Sequence, residues 1–503
     1  MIKLKTIAVI FGTVFLFLYC TTKEPQTPEK PNILLIVSED NGPDLGCYGN
    51  THVYTPNLDR LAAEGVQFNN AFVTYSVCSP SRGTIFTGLY PHQNGQIGLA
   101  THKYRMYEGI KTLPKYLREV GYFSGCIGKV HVNPESEIPW DYRPGGLLNG
   151  SNFGKKSLPE YATKAMEFVR QSAEKPFFLM VNFPDAHFPV QYDVEGLPTK
   201  ELEPGDVDGP LDYVGANSEY LREYTANYFN CMNRLDESVG MLLDSLKKSD
   251  KADNTIIIYL GDHGAQFSRG KCSNYEAALK IPFIMHWPNH IKSDIQKEEL
   301  ISTIDLLPTI LDLAGAEKPE FMQGKSLMAL AKNKETEWAE YVFAGGTGSA
   351  PFFYYPRRSV RDKQFKLIYN VNYQEENPHV GFYNGRQGHF VAGTNLEETT
   401  ALDTDMAEVY RIWRNPPQYE LYDLINDPLE FKNLSDNAEF SEELERLKKV
   451  LKLWQIETND PFNDPVKHQR YNQDIKDIAE KYEGTSYRND PDFKWKYVDY
   501  FQD

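Results

Sequence analysis

The run Cys78-Ser79-Pro80-Ser81-Arg82 combines a thiol, a proline and a guanidinium within five positions. Pro80 favours the first turn of a helix, where its missing N–H leaves no hydrogen bond unmade. The free N–H groups of such a turn attract an anion beside residue 78, and the guanidinium fork of Arg82 could bind the same anion. The run therefore predicts either a site that handles an anionic group or, more simply, a reduced cysteine that caps a helix.

Two carboxylates follow a short apolar run near the start of the chain. Asn32–Ser38 is typical of a strand buried on both faces of a parallel sheet, and it leads directly into Glu39 and Asp40. Open α/β sheets bind ligands at the carboxyl ends of their strands. Hard cations such as Ca²⁺ prefer oxygen ligands of this kind. These residues alone are more simply interpreted as a polar turn that closes the strand, and a cation site at the strand end is the functional alternative.

Basic side chains and histidines follow two other strand-like runs. Tyr122–Gly128 leads into Lys129 and His131, and Pro176–Phe183 is soon followed by His187. A histidine suits general acid catalysis because its pKa lies near the working pH. Solvated turns with ordinary loop histidines would give the same pattern.

The elements that must position these side chains alternate in the manner of an α/β domain. We predict helices at Thr55–Glu64, Thr112–Val120, Ser218–Lys248 and Ser302–Leu313, and further strands at Val66–Val73, Thr255–Leu260 and Ile281–Trp287. After the polar stretch Ala331–Trp338 the composition changes to short aromatic-rich runs, which predict an antiparallel sheet. These runs are Tyr341–Ala344, Arg358–Arg361, Phe365–Val371 and Tyr419–Leu424. The amphipathic segment Ser441–Thr458 could cover that sheet.

The composition excludes some classes of function. The chain has 503 residues, enough for two domains, and a net charge of −17. Binding to nucleic acid or another polyanion normally needs a basic face, so we expect no nucleic-acid partner. An anionic substrate would require the few basic groups to be gathered in one pocket. Apart from Cys20, the five cysteines are scattered and odd in number, so they give no disulfide framework.

The first twenty residues have the pattern of an export signal. Lys3 and Lys5 precede the apolar run Ile7–Tyr19, which is short for a membrane span, and Cys20 ends it. With the polar tether at 21–30, this segment resembles a bacterial lipoprotein signal, although Tyr19 replaces the usual small residue. We expect an exported protein in the periplasm or outer membrane, attached through lipidated Cys20. An uncleaved N-terminal anchor is the alternative.

Taken together, the motifs resemble those of the type I, formylglycine-dependent sulfatases, in order and approximate spacing. Beyond the stretches already described, Gly261-Asp262-His263-Gly264 and Gly270-Lys271-Cys272 resemble the metal and lysine motifs of that family. The resemblance implies an alkaline-phosphatase-like α/β fold, with a large, mostly parallel sheet between helices. It also implies a catalytic domain at 31–340 and a smaller C-terminal domain at 341–503, made of an antiparallel sheet plus a helix.

The resemblance also implies roles for individual residues. A sulfatase-maturing enzyme would oxidise Cys78 to formylglycine, whose hydrate attacks sulfur. The implied catalytic residues are Cys78, Arg82, Lys129, His131, His187 and Lys271; the implied ligands of one divalent cation, taken to be Ca²⁺, are Glu39, Asp40, Cys78, Asp262 and His263; and the implied substrate contacts are Asp185, Arg358 and His102. Glu39 and His263 depart from the commoner Asp and Asn of the family, which leaves the identity of the metal open.

The C-terminal part is similar to the heparan N-sulfatase branch. Arg358-Ser359-Val360 and the run from Trp454 to Pro461 carry this likeness, whereas Gly345-Gly346-Thr347-Gly348 departs from it. The implied substrate is the N-sulfate of nonreducing-end glucosamine N-sulfate in heparin or heparan sulfate fragments. Three alternatives remain open: an O-sulfatase on another sulfated amino sugar or glycosaminoglycan, a phosphodiester or phosphonate hydrolase of the same superfamily, and a glycan-binding protein whose site is catalytically inactive.

Overall fold

The chain is built around parallel strands whose residues are apolar on both faces. The computed structural model describes residues 30–145 and 157–502. Its strands are β1 (Asn32–Ser38), β2 (Val66–Phe68), β3 (Ala71–Phe72), β4 (Phe123–Ile127), β5 (Phe177–Asn182), β6 (Thr255–Gly261), β7 (Lys280–Ile281), β8 (Phe283–His286), β9 (Ile295–Lys297), β10 (Ile301–Ser302), β11 (Val342–Gly346), β12 (Arg357–Arg361), β13 (Phe365–Asn370) and β14 (Tyr419–Asp423). The helices are α1 (Pro56–Ala63), α2 (Cys78–Thr87), α3 (Pro91–Asn94), α4 (Leu113–Glu119), α5 (Leu158–Ser172), α6 (Glu219–Lys247), α7 (Glu276–Leu279), α8 (Leu306–Ala314), α9 (Met328–Ala331), α10 (Pro378–Asn384), α11 (Leu396–Thr400), α12 (Thr404–Arg414), α13 (Ser441–Glu457), α14 (Pro465–Lys481) and α15 (Tyr497–Tyr500).

The large sheet has seven strands in the order β4-β5-β1-β6-β8-β2-β9. The neighbours β4, β5, β1 and β6 are parallel, while β8 runs antiparallel to both β6 and β2. Alternate residues of β1 point to opposite faces, so Leu35 joins a core with α4 and α8 whereas Leu34 joins a core with α5 and α6. The predicted mostly parallel sheet between helices is therefore confirmed.

Two of the predicted strands are each divided. The predicted strand Val66–Val73 is split into β2 and β3, and Ile281–Trp287 is split between β7 and β8, with β3 and β7 pairing in a separate small sheet. Pro282 separates β7 from β8, and a proline cannot donate to a strand ladder. Period-two patterns alone do not show such a change of sheet.

The C-terminal part forms the predicted antiparallel sheet, in the order β11-β12-β13-β14. Helix α13 covers one of its faces, where Leu451 and Trp454 pack against Val360 and Leu367. The described residues from Pro31 onward form one compact unit, and the N–H of Gly345 donates to the carbonyl of Thr74, 2.9 Å away. The second sheet is thus joined to the segment that leads into α2.

None of the helices within the described ranges is long and apolar enough to cross a membrane. The predicted signal at 1–20, with Cys20, and the tether at 21–29 lie outside the described residues.

Candidate active site

The predicted site residues come together because four parallel strands end at the same edge of the large sheet. The segments that follow β1, β4, β5 and β6 carry Glu39 and Asp40, Lys129 and His131, His187, and Asp262 and His263. Helix α2 begins at Cys78 with Pro80 in its first turn, as predicted. Its N-terminus therefore adds unbonded N–H groups beside residue 78.

Four side chains form a compact, fully buried cluster. One potential ligand atom from each of Asp40, Cys78, Asp262 and His263 lies within 4.8 Å of every other. Nε2 of His263 is 3.3 Å from Sγ of Cys78. The second carboxylate oxygen of Asp262 accepts no hydrogen bond, although Nε of Arg82 lies 3.3 Å from it. A buried carboxylate oxygen without a donor, together with this set of oxygen and imidazole ligands, fits one divalent cation.

Glu39 lies beside this cluster but is shared with two basic side chains. Its oxygens are 2.5 Å from Nη2 of Arg82 and 2.6 Å from Nζ of Lys129. Burial raises the pKa of Glu39, against the lowering effect of Arg82. An oxygen of Glu39 is also within 4.8 Å of ligand atoms of Asp40, Cys78 and His187, so it remains within reach of a cation.

Arg82 occupies a different position from the one predicted. Its guanidinium is fully buried and donates to Glu39, to Oδ1 of Asn182 at 2.6 Å and to the carbonyl of Lys129 at 3.2 Å. It is not among the residues that line the cavity over Cys78. Arg82 therefore lies behind the carboxylates and orients them, rather than facing a substrate sulfate.

Lys129 and Lys271 do face this cavity. Nζ of Lys271 is 2.7 Å from Asp40 and 3.5 Å from Sγ of Cys78. Burial alone would raise the pKa of Asp40, but Lys271 and nearby histidines outweigh it and hold the pKa below its ordinary value. Two lysines thus lie together at the cavity over Cys78, as an anionic substrate would require.

The electrostatic field at position 78 favours an anion. Burial raises the pKa of the Cys78 thiol, yet Lys129, Lys271 and His263 together bring it well below its ordinary value. The same surroundings would stabilise any other anionic atom at this position.

Two histidines that line the cavity, His131 and His187, differ in how their ring nitrogens can take part in proton transfer. Burial and the charge of Lys129 lower the pKa of His131 to about 4, so its imidazole is neutral near pH 7 and can accept a proton. Nδ1 of His187 lies 2.8 Å from the carbonyl oxygen of Phe188. Because a carbonyl can only accept, Nδ1 carries a proton and Nε2 of His187 is the nitrogen left for chemistry.

The cavity has a volume of about 790 Å³, within the size range of small-molecule sites. Its charged part holds Cys78, Lys129, His131, His187 and Lys271. The family model described as Sulfatase matches residues 31–316, more than half of the chain and all the strand ends described here. The chain belongs to the sulfatase family. It is therefore an enzyme, a hydrolase of sulfate esters or sulfamates.

A second family model, described as the C-terminal part of N-sulphoglucosamine sulphohydrolase, matches residues 261–384 of this sulfatase. The human N-sulphoglucosamine sulphohydrolase is 32% identical over 469 residues, which cover 86% of this chain and 91% of that protein. An ulvan-active sulfatase of Formosa agariphila is 31% identical and covers 86% of this chain and 81% of its own. A protein solved with its substrate D-glucosamine-2-N,6-O-disulfate aligns with a TM-score of 0.66 at 21% identity, over 87% of this chain and 99% of that one.

Of the three residues predicted to contact substrate, only one lines the cavity of this sulfatase. His102 lines the cavity. Asp185 is buried and paired through both oxygens with the guanidinium of Arg234, at 2.8 and 2.9 Å. Arg358 is 2% exposed and paired in the same way with Asp460, at 2.6 Å for each bond. The structure does not bring Asp185 or Arg358 to the cavity, because each already has a buried partner of opposite charge.

Other lining residues were not predicted from the sequence. His389, in a loop after α10, faces His187 with its ring centroid 5.7 Å away. Phe352 and part of the chain from Ile475 to Arg488 complete the wall. The spacing of Ile475, Ile478 and Ala479 is helical and could have revealed α14. The loop around His389 has no periodic signal.

Proposed function

We propose that this sulfatase removes the N-sulfate of glucosamine N-sulfate at the nonreducing end of heparin or heparan sulfate fragments. The observation that carries this proposal is the match of residues 261–384 to the C-terminal model of N-sulphoglucosamine sulphohydrolase. The matched stretch includes Asp262, His263 and Lys271 of the cluster. The 32% identity to the human enzyme, over most of both chains, supports the same substrate.

In this proposal a sulfatase-maturing enzyme converts Cys78 to formylglycine. When hydrated, that residue supplies two hydroxyl groups on one carbon, one to attack sulfur and one through which sulfate is expelled and the aldehyde restored. The positive surroundings that lower the pKa of the Cys78 thiol support an anionic oxygen at the same position.

One divalent cation, Ca²⁺ in this proposal, would be held by Asp40, Asp262, His263 and the group at position 78, with Glu39 within reach. When bound, the cation lowers the pKa of a hydroxyl group at position 78 and places a positive charge beside the sulfate oxygens.

The remaining roles belong to side chains that face the cavity. Lys129 and Lys271 would neutralise the sulfate oxygens, and Arg82 would hold Glu39 in place from behind. A second ring proton, carried on Nε2 of His187, would pass to the departing amine, and the neutral His131 would accept a proton in the second step.

The test uses matched sugars. Glucosamine N-sulfate and glucosamine 6-O-sulfate are incubated with the matured enzyme, and free sulfate is measured, with Cys78→Ala as the inactive control. Release from the N-sulfate is expected. Release from the 6-O-sulfate alone would overturn the proposal in favour of an O-sulfatase, the second candidate, which the 31% identity to an ulvan-active sulfatase supports. An aryl phosphate cleaved faster than an aryl sulfate would instead favour the phosphodiester or phosphonate hydrolase.

We also propose export of the protein and attachment to the bacterial envelope through lipidated Cys20. The motivating feature is the apolar run Ile7–Tyr19 between two lysines and a cysteine. A Cys20→Ala variant should appear in the soluble fraction, and an unmodified Cys20 in the mature protein would contradict the proposal.

A further inference from the structure

The outer part of the catalytic cavity is built by the C-terminal segment of the chain. Ile478 and Tyr482, at the end of α14, and then Tyr487 and Arg488 face the same cavity as Cys78. The cavity therefore extends well beyond the group that would bind one sulfate.

This segment is held firmly on the side of the substrate cavity. Nε1 of Trp495 donates to the carbonyl of His102 at 3.0 Å, and the hydroxyl of Tyr497 donates to the carbonyl of Gly95 at 2.8 Å. Both rings are buried with Tyr104 and Tyr471 in one aromatic cluster. The backbone at Arg488 is thus fixed from both sides without its own side chain taking part.

Arg488 differs from the other cations of the cavity. Lys129 and Lys271 are each paired with a carboxylate, at 2.6 and 2.7 Å. Within residues 30–145 and 157–502, the guanidinium of Arg488 has no ion pair and no hydrogen bond, and its side chain is exposed at the cavity wall. A guanidinium presents a planar fork that matches carboxylate and sulfate oxygens.

His102 lines the cavity close enough to both Arg488 and His131 to feel their charges. Its Nδ1 is hydrogen-bonded to the hydroxyl of Tyr487, and burial, with Arg488 and His131, lowers its pKa to about 4. The ring of Phe352 is 5.6 Å from that of His102, edge to face, and 51% exposed. An exposed aromatic face beside a neutral imidazole can pack against the apolar face of a pyranose.

We propose that Arg488 binds a second anionic group of the substrate, distinct from the sulfate that is removed. Phe352 packs against the sugar ring that carries the removed sulfate. This inference rests on the proposed function and deepens it. The net charge of −17 makes the protein as a whole repel an anionic sugar, so a second anionic group of the substrate needs a cation close to it, and Arg488 supplies one at the cavity wall. The second group is an oxyacid, either another sulfate on the same sugar or the carboxylate of a linked hexuronic acid.

Three sugars distinguish these sources in a binding experiment. Dissociation constants are measured by calorimetry for glucosamine N-sulfate, glucosamine N,6-disulfate and a disaccharide of glucosamine N-sulfate with a hexuronic acid, using Cys78→Ala protein to prevent turnover. Arg488→Gln should weaken binding of at least one doubly charged sugar about tenfold, as expected for loss of a charge-assisted contact. Binding of glucosamine N-sulfate should not change. The sugar that responds identifies the second group.

The control is Arg170→Gln, which makes the same change of charge at an exposed arginine of α5 outside the cavity. An equal effect of Arg488→Gln on all three sugars, or none on any of them, would overturn the inference. The matured enzyme with Arg488 intact is assayed in parallel on glucosamine N-sulfate. Selective binding without release of N-sulfate would refute the proposed function alone, and release without selective binding would refute this inference alone.

Discussion

Nε2 of His263 lies 3.3 Å from Oδ1 of Asp40, although 222 residues separate the two in sequence. The parallel pairing of β1 with β6 brings them together, because Ser38 lies opposite Gly261 at the end of the ladder. Asp262 then accepts a hydrogen bond from the N–H of Asp40 at 3.0 Å. Strand register thus fixes the relative positions of the predicted metal ligands before any metal binds.

The first prediction concerns the stability that a cation adds. Because Asp40, Asp262 and His263 are close together only in the fold, Ca²⁺ should stabilise the folded state, by about 3 kcal/mol at a concentration 100-fold above its dissociation constant. Thermal unfolding of the matured enzyme, with Ca²⁺ and with a chelator, measures this. Asp262→Asn should abolish most of the increase.

Asp44→Asn is the matched control, since Asp44 lies in the same loop as Asp40 but outside the cluster. That variant should keep the full response to Ca²⁺. If the wild-type enzyme unfolds at the same temperature with Ca²⁺ and with chelator, this result contradicts a calcium site.

The second prediction concerns proton transfer by His187. If its Nε2 protonates a departing amine, His187→Ala should lower kcat on glucosamine N-sulfate about 10²–10⁴-fold. A nitrophenyl sulfate should be affected far less, because nitrophenolate leaves without a proton. The two rates measured on the same variant separate acid catalysis from a general loss of activity.

His290→Ala is the control, because His290 stacks on Trp287 at a surface away from the cavity. Equal losses on both substrates would show that His187 shapes the site rather than acting as the acid. Unchanged rates would remove it from the mechanism.

The positions of Glu39, Asp40 and Lys129 could be predicted because each follows a short apolar strand, whereas Lys271 was implied only by the resemblance to the sulfatases. The runs Asn32–Ser38 and Thr255–Leu260 are strongly apolar, and parallel strands place their carboxyl ends at one edge. The position of Arg82 could not be predicted in this way. Its spacing from Cys78 puts both on one side of α2, but only the long-range contact with Glu39 decides which way the guanidinium points.

The outer wall of the cavity also depends on long-range contacts, so the sequence did not predict it. The contact between His102 and Tyr487 joins residues 385 positions apart, and no local period signals it. The aromatic residues of the last forty positions are mostly core, and the core cluster they form is what places Arg488.

The third prediction concerns Arg358, which the structure pairs with Asp460 in the interior. Asp460→Asn should destabilise the fold by about 3–5 kcal/mol, because it leaves a buried guanidinium without its counter-charge. Urea unfolding near neutral pH measures this. Asp492→Asn, at an exposed carboxylate of the same C-terminal region, should cost less than about 0.5 kcal/mol.

The same pair gives a pH dependence. Burial alone would raise the pKa of Asp460, but Arg358 lowers it from 3.8 to about 2. Since the folded pKa lies below the unfolded one, the carboxylate contributes its full stability above about pH 4 and loses it as the pH falls towards 2. The difference in unfolding free energy between the wild type and Asp460→Asn should therefore be constant near neutral pH and shrink at about pH 3. A difference that grows on acidification would contradict the ion pair.

Replacing both partners separates this role from sugar binding. The double variant Arg358→Met with Asp460→Leu removes the buried charges together, so most of the stability lost in Asp460→Asn should return. Because Arg358 does not line the cavity, KM for glucosamine N-sulfate should stay at the wild-type value. A marked rise in KM in this stably folded variant would instead return Arg358 to the substrate site that the sequence predicted.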